Sequence, residues 1–164
     1  MIGFDHYLTE AFDTPYKYSG GQRDNDLYSY KFDTLDVKTG NKSRVDVMVT
    51  GSEHPDDEDE YSWELSFSRQ QYGSDKNRFD TTGEGDAMRI FSTVLAVTKD
   101  FLKKENPKYV SFGAEKSKDT GTKQLQSREK LYLRMAKKYF SGKYTIRVQA
   151  GSRESLFFMT RKGK

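Results

Sequence analysis

Residues 78–102, RFDTTGEGDAMRIFSTVLAVTKDFL, join a glycine-bearing turn directly to the longest apolar-periodic segment of the chain. A backbone that enters a helix through Gly83 and Gly85 leaves its first N–H groups without intrahelical partners, the arrangement that holds phosphates and other anions. The candidate anion seat is therefore the turn at Gly83 and Gly85, where the helix of residues 87–102 opens. The same turn carries Asp80, and with Glu84 and Asp86 it sets three carboxylates around that seat. Acidic groups at a helix N-terminus take the dipole stabilisation, about 0.3–1 kcal/mol each, for which an anionic ligand would compete.

A second group of charges lies further along. Ser127 is placed to cap a predicted helix whose apolar face is Leu131, Tyr132, Met135, Ala136 and Tyr139. Its other face is basic: Arg128, Lys130, Arg134, Lys137 and Lys138, followed by Lys143, are positioned to contact nucleic-acid phosphates, with tyrosines available for stacking. No base-reading motif accompanies them, so sequence-specific DNA binding is not expected. The net charge of +3 conceals an asymmetry, since residues 101–164 hold 17 Lys+Arg against 5 Asp+Glu. Two readings follow: a solvated basic face, or an electropositive surface for phosphate-rich ligands.

A third cluster, GSEHPDDEDE, has Glu53, Asp56, Asp57, Glu58, Asp59 and Glu60. It lacks the alternating ligands, central glycine and distal glutamate of a calcium loop. Mutual repulsion predicts a mobile, solvated hairpin tip, with a partner-docking loop or a weak cation site as the alternatives. The chain has no cysteine and only His6 and His54, which removes thiolate chemistry and leaves little for a histidine metal site; no metal and no cofactor is expected. No apolar run approaches the ~20 residues that cross a bilayer, and the N-terminus lacks a leader pattern, so no membrane partner and no secretion are expected.

At 164 residues the chain has the size of one ordinary domain. Phe4, Leu8, Ala11 and Phe12 predict a short helix ended by Pro15, and residues 16–26 a loop or edge segment broken at Gly20 and Gly21. Three strand-like runs follow. Tyr28, Tyr30 and Phe32 alternate before a phase shift to Leu35 and Val37, which reads as a bulge or as the end of the strand. Val45, Val47 and Val49 alternate after a turn at Gly40 and Asn41, and Tyr61, Trp63, Leu65 and Phe67 mark a central antiparallel strand. Beyond the helix that starts at Ala87 come a strand in YVSFGA, the basic helix, a terminal hairpin of YTIRVQ and SLFFMT, and a basic tail at 161–164. The prediction is an α+β fold: a mostly antiparallel sheet carrying two main helices.

This order, together with the G-x-G of DTTGEGDA and the Leu131–Tyr132 pair, resembles the GCN5-related N-acetyltransferase (GNAT) fold over residues 28–160. The wording TGEGDAMRIFSTV, VSFGAEK and SREKLY is also similar to small GNAT-like proteins of tailed bacteriophages. The resemblance implies that Gly83, Glu84, Gly85, Asp86 and Ala87 would hold the pyrophosphate of acetyl-CoA, that Tyr132 would be the general acid, and that Glu64 would lie where a general base can sit. The chain departs from the pattern at Asp80, where the family has Arg or Gln, and in the length and basicity of the second helix. The expectation is accordingly a phage-type, non-catalytic binding protein, in the virion or the host cytoplasm, whose partner is another protein or, through the basic half, nucleic acid. The alternative is an acyl-CoA-dependent N-acyltransferase.

Overall fold

Strict two-residue alternation in the chain becomes strand, and 3.6-residue periodicity becomes helix, in a computed structural model that describes residues 15–35, 40, 42–71, 77–78, 87–115, 127–151 and 154–163. The predicted helix at 4–12 and the turn at 79–86 lie outside these residues. In chain order the elements are β1 (Ser19–Asp24), β2 (Leu27–Leu35), β3 (Lys42–His54), β4 (Asp57–Gln71), β5 (Asn77–Arg78), α1 (Ala87–Glu105), β6 (Tyr109–Glu115), α2 (Ser127–Phe140), β7 (Tyr144–Gln149) and β8 (Glu154–Arg161). Seven strands run in the order β1-β2-β3-β4-β6-β8-β7, and β5 pairs with β4. The fold is α+β with a mostly antiparallel sheet. One expectation is corrected: β4 runs parallel to β6, because the long connection through α1 returns the chain in the same direction. No helix among the described residues is long and apolar enough to cross a membrane.

The chain packs into two compact units, residues 1–48 with 67–106 and residues 49–66 with 107–164. In the first, Tyr28, Tyr30 and Phe32 of β2 and Val45 and Val47 of β3 are buried, as are Ile90, Val97, Phe101 and Leu102 of α1. The Phe101 ring meets Tyr28 edge-on at 5.0 Å. Polar groups fix the helix position. The Tyr30 hydroxyl donates to Asp100 at 2.9 Å, and Lys104 pairs with Asp100 while donating to the Gly21 carbonyl at 2.8 Å. Burial first, and then the bond to Asp100, push the Tyr30 phenol well above its ordinary range. α1 stops where Asn106 turns left-handed (φ 49°) and its N–H bonds back to Leu102 at 2.9 Å; Pro107 follows.

Two local readings are decided here. Of loop and edge segment, residues 19–24 are the edge strand: Gly20 and Gly21 take φ of 100° and 91° and bend the strand at a register shift against β2. The phase shift near Leu35 is the end of the strand, since β2 stops there. Burial continues in phase through Thr34, and Leu35 is an apolar residue on the outward face, 44% exposed.

In the second unit three strands are locked in register. Trp63, Val110 and Met159 form one row across β4, β6 and β8, and Leu65, Phe112 and Phe157 form the next. Trp63, Leu65, Val110, Phe157 and Met159 are buried, and Phe112 stacks on Phe157 at 4.8 Å. α2 lays Met135, Ala136 and Phe140 inward and presents Tyr132 edge-on to Phe157. Tyr144 closes the core, its hydroxyl donating to the Pro107 carbonyl at 2.8 Å.

Gly51 of β3 lies under the Trp63 indole, where a Cβ would fall 2.9 Å from Cζ3. Trp63 is 2% exposed and has no room to retreat. Gly51→Ala should therefore destabilise the protein by about 1–3 kcal/mol by overpacking. The check is chemical denaturation, where the midpoint should fall at unchanged slope.

Candidate functional site

β4 and α2 supply the two residues that the GNAT resemblance cast as acid and base, and both belong to the second unit. Side chains on a strand alternate between faces, and residues directly paired across strands share a face. Glu64 is paired with Ser111, which is paired with Phe158; this is the row between the two buried rows. Glu64 is exposed on the outer face of the sheet. Tyr132, by contrast, is half-buried with its ring 6.4 Å from Phe157, on the face that carries Leu65 and Phe112. The sheet itself stands between the two side chains. A general acid and a general base that serve one reacting centre must both reach it through a hydrogen bond or one water. The structure does not bring Glu64 and Tyr132 to such a centre.

The anion seat is only partly described. Ala87 is the first residue of α1, while Gly83, Glu84, Gly85 and Asp86 lie outside the described residues.

α2 sorts its charges by face. Lys130, Arg134, Lys137 and Lys138 are exposed, as is Lys143 in the turn that follows; Arg128 lies in the helix with its side chain outside the described set. The Lys138 ammonium sits 5.6 Å over the ring of Tyr139. The one carboxylate in the helix sequence, Glu129, is 1% exposed and accepts a hydrogen bond from the Ser155 hydroxyl of β8, itself fully buried. A buried carboxylate is held by such bonds because losing them would strand an ionised group away from water. The helix therefore shows solvent its cations and none of its negative charge.

Neither Glu129 nor Ser155 was picked out as functional from the sequence, although the signal exists. Glu129 falls on the same helical stripe as Tyr132, Ala136 and Phe140, at steps of three and four residues. Ser155 has the same parity as Phe157 and Met159 on β8. Each is a polar residue at a core position.

The acidic segment at 53–60 is a hairpin tip, as its sequence predicts, with Glu53, Asp56, Glu58 and Asp59 exposed. β3 runs to His54 and β4 starts at Asp57, so only Pro55 and Asp56 form the turn. Asp57 is already engaged: Lys108 donates to its Oδ2 at 2.9 Å and the Tyr109 hydroxyl at 3.1 Å, while the His54 ring stacks on Tyr109 at 3.9 Å. The Asp56 N–H donates to His54 Nδ1 at 3.1 Å. Among the described residues no group of three His, Cys, Asp or Glu is placed to hold a metal ion.

No protein-family model, no curated protein and no solved structure matches this chain.

The hydrogen bond from Lys108 holds the Asp57 carboxyl below its ordinary value of 3.8, and the reciprocal bond raises Lys108 above 10.5. A depressed carboxylate contributes stability that is full above its unfolded pKa and lost as pH falls through the folded one; a raised lysine loses its share as pH climbs past its folded value. Asp57→Asn should thus be less stable than the parent between about pH 5 and 9, and the difference should vanish toward pH 2. Thermal unfolding of both proteins across that range checks it.

Ser155→Ala removes the hydroxyl that meets Glu129 and should cost about 1–3 kcal/mol, since the carboxylate stays buried with one partner fewer. Denaturant unfolding measures the loss, and Glu129→Gln in the same background should restore part of it by removing the buried charge.

Proposed function

We propose that this chain is a non-catalytic binding protein built on a GNAT-like order of elements, and not an N-acyltransferase. The observation that carries this reading is the placement of Glu64 and Tyr132 on opposite faces of the sheet. Tyr132 is used as a packing residue: its ring completes the aromatic cluster of Phe112 and Phe157. A phenol engaged edge-on with the core contributes area and ring geometry there, which is sufficient reason for an aromatic at that position.

The GNAT-like part of the proposal is supported by the element order, in which strands β2 to β4 precede α1, a strand follows, and α2 leads into the final strand pair. The phage-type setting, as a virion-associated or host-directed protein, rests on the wording similarity of the chain alone. Asp80, Glu84 and Asp86 support the non-catalytic reading from the sequence side, because they set negative charge where a pyrophosphate would be held.

Titration with acetyl-CoA tests the proposal. A specific ligand at one hundred times its dissociation constant raises stability by about 2.7 kcal/mol, a readily visible shift in unfolding temperature. The expected result is no shift at millimolar acetyl-CoA. A saturable shift, accompanied by acyl transfer to an amine that Tyr132→Phe abolishes, would overturn it.

A further inference from the structure

α2 packs on the face of the second unit's sheet that carries Phe112 and Phe157, and the register arranges the residues of the opposite face in rows across β4, β6, β8 and β7. One row is Glu64, Ser111, Phe158 and Arg147, and beside it Gly113 pairs with Leu156. The apolar groups of this face lie on one strand. β8 offers Phe158, half-buried, and Leu156, 37% exposed, while the neighbouring β6 offers only Ser111 and Gly113. The row ends in opposite charges: Glu64 on β4 and Arg147 on β7 are both exposed, and the Arg147 guanidinium lies 4.9 Å from the Phe158 ring.

We infer that this face binds the same face of a second copy of the chain, about a two-fold axis that runs along the strands between β6 and β8. Rotation about that axis lays β4 over β7 of the second copy and β6 over its β8, because the four strands follow in the order β4-β6-β8-β7. Glu64 then meets the second copy's Arg147, and the reverse pair forms on the other side. Phe158 stands over Ser111 and Leu156 over Gly113, large side chains against small ones, which is how facing layers interdigitate. The Glu154 side chain, which lies over Gly113, swings aside to admit Leu156. Facing sheets pack about 10 Å apart, a gap that Glu and Arg span from opposite sides. Charge selects the axis: a two-fold running across the strands through this row would set Glu64 against Glu64 and Arg147 against Arg147, and like charges so placed disfavour it. The occupant is a second copy because the large and charged groups of the face find their complements on the same face, as an isologous interface requires. Apolar groups flanked by charge also match the division of an interface into core and rim. Four strands at ~4.8 Å cover only about 19 Å, so the association is of the weak, reversible class. This inference goes beyond the binding-protein reading and takes nothing from it.

The test is sedimentation velocity of the full chain from about 10 μM to about 1 mM, over which the mean mass should climb from monomer toward dimer. Glu64→Arg alone and Arg147→Glu alone should each weaken the association at least about tenfold, because each sets like charges opposite one another twice in the dimer. An equimolar mixture of the two single variants should associate as the parent does, since in the mixed dimer both charge pairs form again. The two substitutions carried on one chain should restore association as well, with the signs exchanged. Both residues are exposed, and circular dichroism with denaturant unfolding checks that each variant keeps its fold. The proposal is overturned by a chain that stays monomeric at 1 mM, by association that both single variants leave unchanged, or by a mixture that behaves as the sum of its two parts. Acetyl-CoA takes no part in this experiment, so its outcome and that of the titration are distinguishable.

Discussion

The register of β4, β6 and β8 is the constraint on which the second unit depends. Trp63, Val110 and Met159 must lie in one row and Leu65, Phe112 and Phe157 in the next for the aromatic core to close. Because the side-chain period of a strand is two, a slip of one residue would exchange these rows for Glu64, Ser111 and Phe158, placing a carboxylate in the core and Trp63 in water. Fully burying a large apolar side chain contributes about 1.5–3 kcal/mol, so the five buried residues of the two rows outweigh any local preference of the intervening row. The same lock that builds the core therefore holds Glu64 outside it. Keeping the core and moving Glu64 to the face of Tyr132 are mutually exclusive.

The first unit is fixed by different means. Its apolar contacts, Phe101 on Tyr28 among them, fix the height of α1 above β2, while the hydroxyl of Tyr30, Asp100, Lys104 and the Gly21 carbonyl form a chain of polar bonds. That chain ties the helix to the edge strand at a point where the backbone is left-handed and carries no side chain. A Cβ on Gly21 would fall 2.7 Å from the Tyr30 ring and 2.9 Å from the Lys104 ammonium. Here glycine answers to the close approach of a helix and a tyrosine, which is why the sequence left loop and edge segment open at Gly20 and Gly21. A glycine pair looks the same in a loop as in a bulged edge strand until the partner that crowds it is known.

Most elements were legible because their periodicities are clean. The buried valines of β3, the Trp63–Leu65 alternation of β4 and the apolar face of α1 lie where a period of 2 or 3.6 places them. What was not legible depends on pairing over long sequence separation. Nothing local to residues 57–71 or 109–115 declares that the two strands run parallel; the long connection through α1 decides it. The acidic segment is the solvated hairpin tip that six carboxylates close in sequence suggest, but that Asp57 is held by Lys108 and Tyr109, more than fifty residues away, was not legible. At Leu35, where β2 ends, an apolar residue on an outward face imitates a change of phase, which left bulge and strand end open in the sequence. The candidate acid and base were legible as residues, but whether they share a face depends on register, which no single segment encodes.

Charge on α2 shows how folding can alter what composition reports. Counted along the chain, Ser127–Phe140 has five cations and one anion, an excess common to many solvated helices. Folding removes the anion from that count by placing Glu129 on the stripe that faces β8, where the Ser155 hydroxyl takes the role of water. A Leu at this position would fill the core without a buried carboxylate to satisfy, and a Glu one residue away would stabilise the helix by pairing with its lysines. The observed placement does neither. It retains the desolvation cost of a buried acid, which the hydrogen bond from the Ser155 hydroxyl offsets in part.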